Sequence, residues 1–205
     1  MAETGCAFRA TDAYVTDGAG DDWVDYDFYG SATYPTTLGN GLTVGWQSST
    51  GGSDGRNRST SIDVRLAGIH YNRTSTEQIL FRIDLPGGAG AYNIRAAFGD
   101  QAYGPGDAYF ELRDDATAFV TIDDSGGNPA AQWYDATGVL RTSASDWATN
   151  NARTLRTFSS SIFRCAMGRG GAASGNCVIS YLSVESSGGG GGASPRYRSL
   201  LGVGK

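Results

Sequence analysis

Two short stretches, WYDATG (133–138) and DWATNN (146–151), each set a tryptophan beside carboxyl, amide or hydroxyl side chains and follow turn-forming residues. Such groupings suit a saccharide: the ring stacks on the C–H face of a pyranose, and nearby Asp, Asn or Arg bonds its hydroxyls. On that reasoning Trp133, Tyr134, Asp135, Trp147 and Asn150, with Tyr103, form a candidate carbohydrate site, shallow and centred on Trp133 and Trp147. Trp46, Tyr71, Asp146 and Asn151 offer further rings and polar groups. The competing reading puts Trp46, Trp133 and Trp147 in the hydrophobic core, where large rings contribute most to burial.

A second chemistry-bearing stretch, TDGAGDDWVDYD, presents Asp17, Asp21, Asp22, Asp25 and Asp27 within eleven residues. Calcium takes six to eight oxygens, and a loop of this composition can supply them from Asp17, Asp21 and Asp22. The spacing is not that of an EF-hand, because the glycine is misplaced and the closing glutamate is missing. A solvated acidic loop is the simpler reading, and no other cofactor is expected.

Catalytic constellations are poor. His70 is the only histidine, so any Ser-His-Asp arrangement hangs on one residue in a strand-like run beside Ile69 and Tyr71. The glutamates, Glu3, Glu77, Glu111 and Glu185, sit in no motif marking a glycosidase acid/base pair. AFGDQAYG shares only its Gly-Asp with the GDSL hydrolase block, and no Gly-rich loop leads into a helix as phosphate binding requires. The expectation is a protein without enzymatic activity.

These residues must be carried by a β framework. The chain has 205 residues, 40% hydrophobic and 18% charged, with 31 glycines, a composition of turn-dense β proteins rather than disordered ones. QILFRIDL alternates Ile79, Phe81, Ile83 and Leu85 against Leu80, Arg82 and Asp84, and AYNIRAAF alternates Tyr92, Ile94, Ala96 and Phe98 against Asn93, Arg95 and Ala97. Period two is the mark of a strand with one buried face, and the PGGAG between them predicts a hairpin. Further strands are expected at 13–16, 25–30, 42–46, 62–69, 107–113, 118–122, 138–143, 154–163 and 176–185, with the last returning to pair centrally. No helix is expected. Many short strands with Gly/Asn/Asp punctuation predict an all-β, two-sheet antiparallel sandwich.

The order of these pieces resembles the malectin-like and galactose-binding-like β-sandwiches, a jelly-roll family of carbohydrate-binding modules. The motifs that carry it are DYDFYG, GLTVGW, Arg56 or Arg58, SIDVRL, FRIDLPGGAGAYNIRAAFGD and CVISYLSVE, between Asp25 and Glu185. The first strand departs by placing Tyr29 between Phe28 and Gly30, and the last lacks the family's Trp-Val-Asn. The resemblance implies a galactose-binding-like jelly roll, a saccharide ligand and, in some members, a structural calcium.

Cys6, Cys165 and Cys177 are an odd number with no metal-ligand spacing. Buried free thiols are expected, with a Cys165–Cys177 bridge across their Gly-rich loop as the alternative. No basic and apolar leader opens the chain and no run of eighteen apolar residues occurs, so neither a signal peptide nor membrane insertion is expected.

The end of the chain differs from the rest. After a body at 1–187, Gly188 to Gly192 has linker composition, spanning roughly 12 Å as a coil. Residues 193–205 then carry Arg196, Arg198 and Lys205 and no acid. Without those three, 13 basic residues face 21 acidic ones, so the body stands at −8 and disfavours nucleic acid. The alternatives for 193–205 are a disordered end and an anchoring peptide whose Arg196 and Arg198 meet acidic groups while Tyr197, Leu200 and Leu201 fill a groove.

A sugar-module-like sandwich made in a cytosol, with a tethered docking peptide, fits a phage virion component that meets cell-surface glycans after lysis. The expectation is a non-enzymatic phage structural protein, a capsid decoration or tail-associated subunit, located in the virion and bound to other virion subunits or to itself through its tail. The alternatives are a free carbohydrate-binding module or lectin, cytoplasmic or non-classically exported, and an accessory domain of a carbohydrate-active enzyme.

Overall fold

Alternation puts Ile79, Phe81 and Ile83 of one strand and Ile94, Ala96 and Phe98 of another out of reach of solvent. Arg82, Asp84, Asn93 and Arg95 between them remain half-buried. The computed structural model describes residues 4–8, 14–16, 22–26, 34–38, 41–47, 53–57, 63–72, 78–104, 108–126, 129–150, 153–168 and 177–187. The expected linker and anchoring peptide, with Arg196, Tyr197, Arg198, Leu200 and Leu201, lie outside these residues, as do Asp17 and Asp21. Asp22 opens a strand, but its side chain is outside the described set. Among the described residues no three acidic, His or Cys side chains converge as a metal site.

The expected two-sheet sandwich is what forms. The larger sheet holds β1 (Thr4–Phe8), β2 (Tyr14–Thr16), β3 (Asp22–Tyr26), β9 (Gly90–Asp100), β12 (Gln132–Tyr134), β13 (Leu140–Arg141), β14 (Thr154–Phe158) and β17 (Tyr181–Ser186). Its order is β13-β12-β9-β17-β1-β3-β2, with β14 also on β9. The second holds β4 (Thr36–Thr37), β5 (Thr43–Trp46), β8 (Ile79–Asp84), β10 (Ala108–Asp114), β11 (Thr117–Asp124) and β15 (Ile162–Met167), ordered β11-β10-β15-β8-β5-β4. A third, small sheet joins β6 (Ser53–Asn57), β7 (Gly68–Asn72) and β16 (Cys177–Ile179). Among the described residues pairing is antiparallel except between β1 and β3. The last strand does return to the centre, between β9 and β1.

The PGGAG turn corrects an expectation. β8 and β9 are not a hairpin: β8 pairs with β5 and β15, whereas β9 pairs with β12, β14 and β17 in the opposite sheet. The turn crosses between layers, so both alternating faces look into one core. The Tyr92 hydroxyl ties the crossing, accepting from Gly87 N at 3.0 Å and donating to Gly88 O at 3.1 Å. Two expected single strands also split between sheets. Residues 154–163 divide into β14 and β15 at a bend where Asp114 accepts from Ser159 N, Ser159 Oγ and Ser160 N. Residues 176–185 divide into β16 and β17 at Ser180, whose hydroxyl donates to Gly99 O at 2.9 Å. Where a strand was expected at 62–69, Val64–Leu66 form a 3-10 turn ahead of β7.

There is also a helix, α1 (Ala144–Asn150). Ser143 Oγ accepts from Asp146 N at 3.0 Å, and Asp146 Oδ2 accepts from Thr142 N at 2.8 Å. This is a capping arrangement written in the sequence as Ser143-x-x-Asp146.

The main core lies between the two large sheets, with Trp46 edge-on to Phe81 at 4.9 Å and Phe98 stacked on Phe110 at 4.3 Å. Each such ring, fully buried, stabilises the fold by about 1.5–3 kcal/mol. Cys6, Cys165 and Cys177 are buried thiols in this core, and burial pushes Cys6 and Cys165 far above the ordinary thiol range. A second cluster, Leu66, Ala97, Trp133, Trp147 and Tyr181, packs on the outer face of the larger sheet. Ala96–Asp100 of β9 and Tyr181–Val184 of β17 are therefore covered on both faces.

At Gly99 the strands approach most closely. A Cβ there would stand 2.1 Å from the Gln132 carbonyl oxygen and 2.9 Å from Trp133 Cδ1. Gly99→Ala must push β12 off β9, and we expect it to cost about 3 kcal/mol. A denaturant titration checks this; an unchanged midpoint would contradict the packing described.

Candidate functional site

Asp135 has no solvent-exposed surface. Its Oδ1 accepts from Thr137 N at 2.8 Å, Thr137 Oγ1 at 2.6 Å and Val139 N at 3.2 Å. Its Oδ2 accepts from Arg141 Nε at 2.8 Å and Nη2 at 2.6 Å. Burial by itself would raise this carboxyl, but the bonds from Thr137 and Arg141 and the backbone N–H groups outweigh it and hold it below the ordinary carboxylate value. Asp135 organises the β12–β13 turn, and its oxygens are spent there.

The rings expected beside it are enclosed too. Trp133 and Trp147 are fully buried, and Trp147 donates from Nε1 to Ala96 O at 3.0 Å. Arg65 and Arg95 lie 5.0 and 5.2 Å from the Trp147 ring. Rings sealed in a second hydrophobic layer offer no face to a sugar, which corrects the expectation of a site centred on them. Tyr134 is half-buried with its hydroxyl on Asp124, and burial and that bond push its phenol up to about 12. Asn150 is exposed and donates to Asp146 Oδ1 at 2.9 Å. Tyr103, 69% exposed, is the one ring of the set that reaches solvent openly. Trp46 is a core residue with His70 stacked on it at 4.2 Å, so the histidine is interior. Tyr71 carries Arg56 at 5.4 Å.

What the fold assembles instead is a polar array on the outer face of the six-stranded sheet. Because Ile83, Phe163 and Leu112 point into the core, their neighbours Arg82, Arg164 and Arg113 point out. The register sets them side by side: Arg82 opposite Arg164 and Arg164 opposite Arg113. Acidic and amide partners hold each one. Arg82 Nε donates to Asp84 Oδ1 at 2.7 Å, and its guanidinium lies 4.1 Å from the Tyr34 ring centre. Tyr34 in turn donates to Asp84 Oδ2 at 2.8 Å, a bond that raises its own pKa. Arg164 Nε donates to Gln47 Oε1 at 2.6 Å, and Nη1 donates to Asp115. Arg113 Nε donates to Glu111 Oε2 at 2.6 Å and Nη2 to Gln78 Oε1 at 2.9 Å. Tyr109 donates to the other Glu111 oxygen at 2.5 Å, which with burial pushes its phenol up to about 12. At the far end of the row Gly45 stands opposite Arg82, with φ of 152° and no side chain to intrude.

Sequence reasoning placed Arg82 on the outward face of its strand but did not join it to the others. The available signal was an outward arginine in each of QILFRIDL, DAYFELR and SSSIFRCAM. Their alignment is a matter of register between strands that are distant in the chain.

No protein-family model and no curated protein matches the sequence. Among solved structures the chain is similar to Bacteroides uniformis β-glucuronidase 2, covalently bound to cyclophellitol-6-carboxylate aziridine, with TM-score 0.48, 11% identity, and 90% of this chain and 18% of that one covered. For the plant receptor-like kinase FER the values are 0.47, 10%, 90% and 42%. For the Podospora anserina GH26-CBM35 β-(1,4)-mannanase they are 0.38, 10%, 74% and 29%. The chain spans less than half of each of these proteins.

Asp135→Asn removes the charge that Arg141 is built around, and we expect a loss of roughly 3 kcal/mol at pH 7. The native carboxyl lies below its ordinary value of 3.8, so its contribution is present above that pH and is lost as pH falls through the folded-state value. The gap between the two proteins should therefore narrow as pH falls below about 4. Denaturant titrations at pH 7 and pH 3 check both; a gap constant with pH would contradict the assignment.

Proposed function

We propose that this chain is a non-catalytic, carbohydrate-binding β-sandwich that serves as a phage structural protein, a capsid decoration or tail-associated subunit, held by its C-terminal peptide. The observation that carries the binding half is the outer face of the six-stranded sheet. It holds oriented N–H donors on Arg82, Arg164 and Arg113, acceptors on Asp84 and Glu111, and rings on Tyr34 and Tyr109. A ligand with many hydroxyls meets donors, acceptors and apolar ring edges together on such a surface. Single contacts on such a face are weak and gain strength when many copies act at once, as on a symmetric particle.

The virion half is supported by the chain's end. A glycine linker leads to a basic, partly apolar peptide beside a body of net charge −8, a composition suited to tethering the sandwich to a larger body. Against catalysis stands the placing of the groups that would perform it: His70 is sealed against Trp46, and Asp114 and Asp135 are committed to turns.

Removing residues 188–205 tests the anchoring directly. Full-length protein should co-purify with phage particles from a lysate, while the truncated protein accumulates soluble and folded and leaves the particles without it. Protein absent from particles at full length, or retained equally after truncation, would overturn the reading.

A further inference from the structure

Like charges placed directly opposite across a sheet oppose pairing, yet the six-stranded sheet sets Arg82, Arg164 and Arg113 in one register line across β8, β15 and β10. A sheet needing only a wet outer face has no use for such a line. The Arg164 guanidinium shows the cost, since burial first and then the charges of Arg82 and Arg113 lower its pKa. Each side chain is 18% exposed, lying along the sheet rather than reaching into water.

The acids on the border hold the row in place without consuming it. Asp84, Asp115 and Glu111 engage Arg82 Nε, Arg164 Nη1, and Arg113 Nε and Nη2. Gln47 and Gln78 take Arg164 Nε and share Arg113 Nη2. Nη2 of Arg164 and Nη1 of Arg113 take no hydrogen bond among the described residues, while Arg82 meets the Tyr34 hydroxyl as well as Asp84. Adjacent strands are about 4.8 Å apart, so these donors recur at that interval across the strands.

We propose that Arg82, Arg164 and Arg113 form a linear subsite for the oxyanion groups of an acidic saccharide lying across the strands. The inference rests on the carbohydrate-binding reading above and specifies its ligand. Guanidinium forks suit oxyanions in a way that lysine does not. The bordering carboxylates favour a ligand whose anionic groups alternate with hydroxyls, because Asp84 and Glu111 accept from hydroxyls and repel an unbroken run of phosphates. The negative body works against a nucleic acid for the same reason.

The test is calorimetric titration of the full chain with a uronic-acid oligosaccharide, a sulfated oligosaccharide and a neutral oligosaccharide of equal length. Either acidic ligand should bind at least tenfold tighter than the neutral one, with an affinity that falls as salt rises. In Arg164→Gln the ratio of acidic to neutral affinity should collapse towards one, and Arg164→Lys should fall between. Arg113→Gln carries the same expectation and stands in if Arg164→Gln does not fold. Whichever acidic ligand binds tighter identifies the carboxylate or the sulfate as the natural group. Equal binding of acidic and neutral ligands, or an undiminished ratio in the variants, overturns this inference and leaves the carbohydrate reading standing. Binding of no saccharide overturns both.

Discussion

Strands β9 and β17 are paired along six residues, the stretches Ala96–Asp100 and Tyr181–Val184 are covered on both faces, and the other layers are built against them. Leu182 and Val184 enter the main core with Ile94, Ala96 and Phe98, while Tyr181 and Ala97 on the reverse face support Trp133 and Trp147. These two stretches have no solvent side on which a mistake can be tolerated. Gly99 shows how tight the fit is, because β12 comes within what would be contact of any side chain there.

That double coverage divides the labour between the two sheets. Around Ala97 and Tyr181 the outer face of the larger sheet is closed by α1, by the 3-10 turn at Val64–Leu66 and by the ring cluster they enclose. The tryptophans that might have stacked on a sugar are used as the filling of this second layer. The six-stranded sheet carries its apolar residues inward, and outward it shows arginine, tyrosine, acid and amide. Unspent hydrogen-bonding capacity therefore lies on the outer face of the six-stranded sheet.

Charge follows the same division. Asp114 and Asp135 are buried at bends between strands, where backbone N–H groups and hydroxyls satisfy them, and both carboxyls stay below their ordinary range despite the burial that opposes it. These acids act as joints. The acids on the outer face, Asp84, Glu111 and Asp115, orient arginines. An acidic chain thus presents a local line of positive groups that its net charge does not reveal.

Much of the framework was legible beforehand, since side-chain alternation is a property of a few neighbouring residues. QILFRIDL and AYNIRAAF announce which side chains are buried, and the chain's composition announces an all-β sandwich. Even the overlooked helix was signalled by Ser143 and Asp146. The partner of each strand was not legible. A proline-glycine turn joins neighbours in one sheet or crosses to the facing sheet with the same local pattern, and only the packing of distant strands selects between them. The arginine line has the same origin, because Arg82, Arg113 and Arg164 become neighbours through registers set by core contacts far apart in the chain. Residue types and buried faces are written locally; adjacency, and with it the array of arginines on one face, is decided by the tertiary structure.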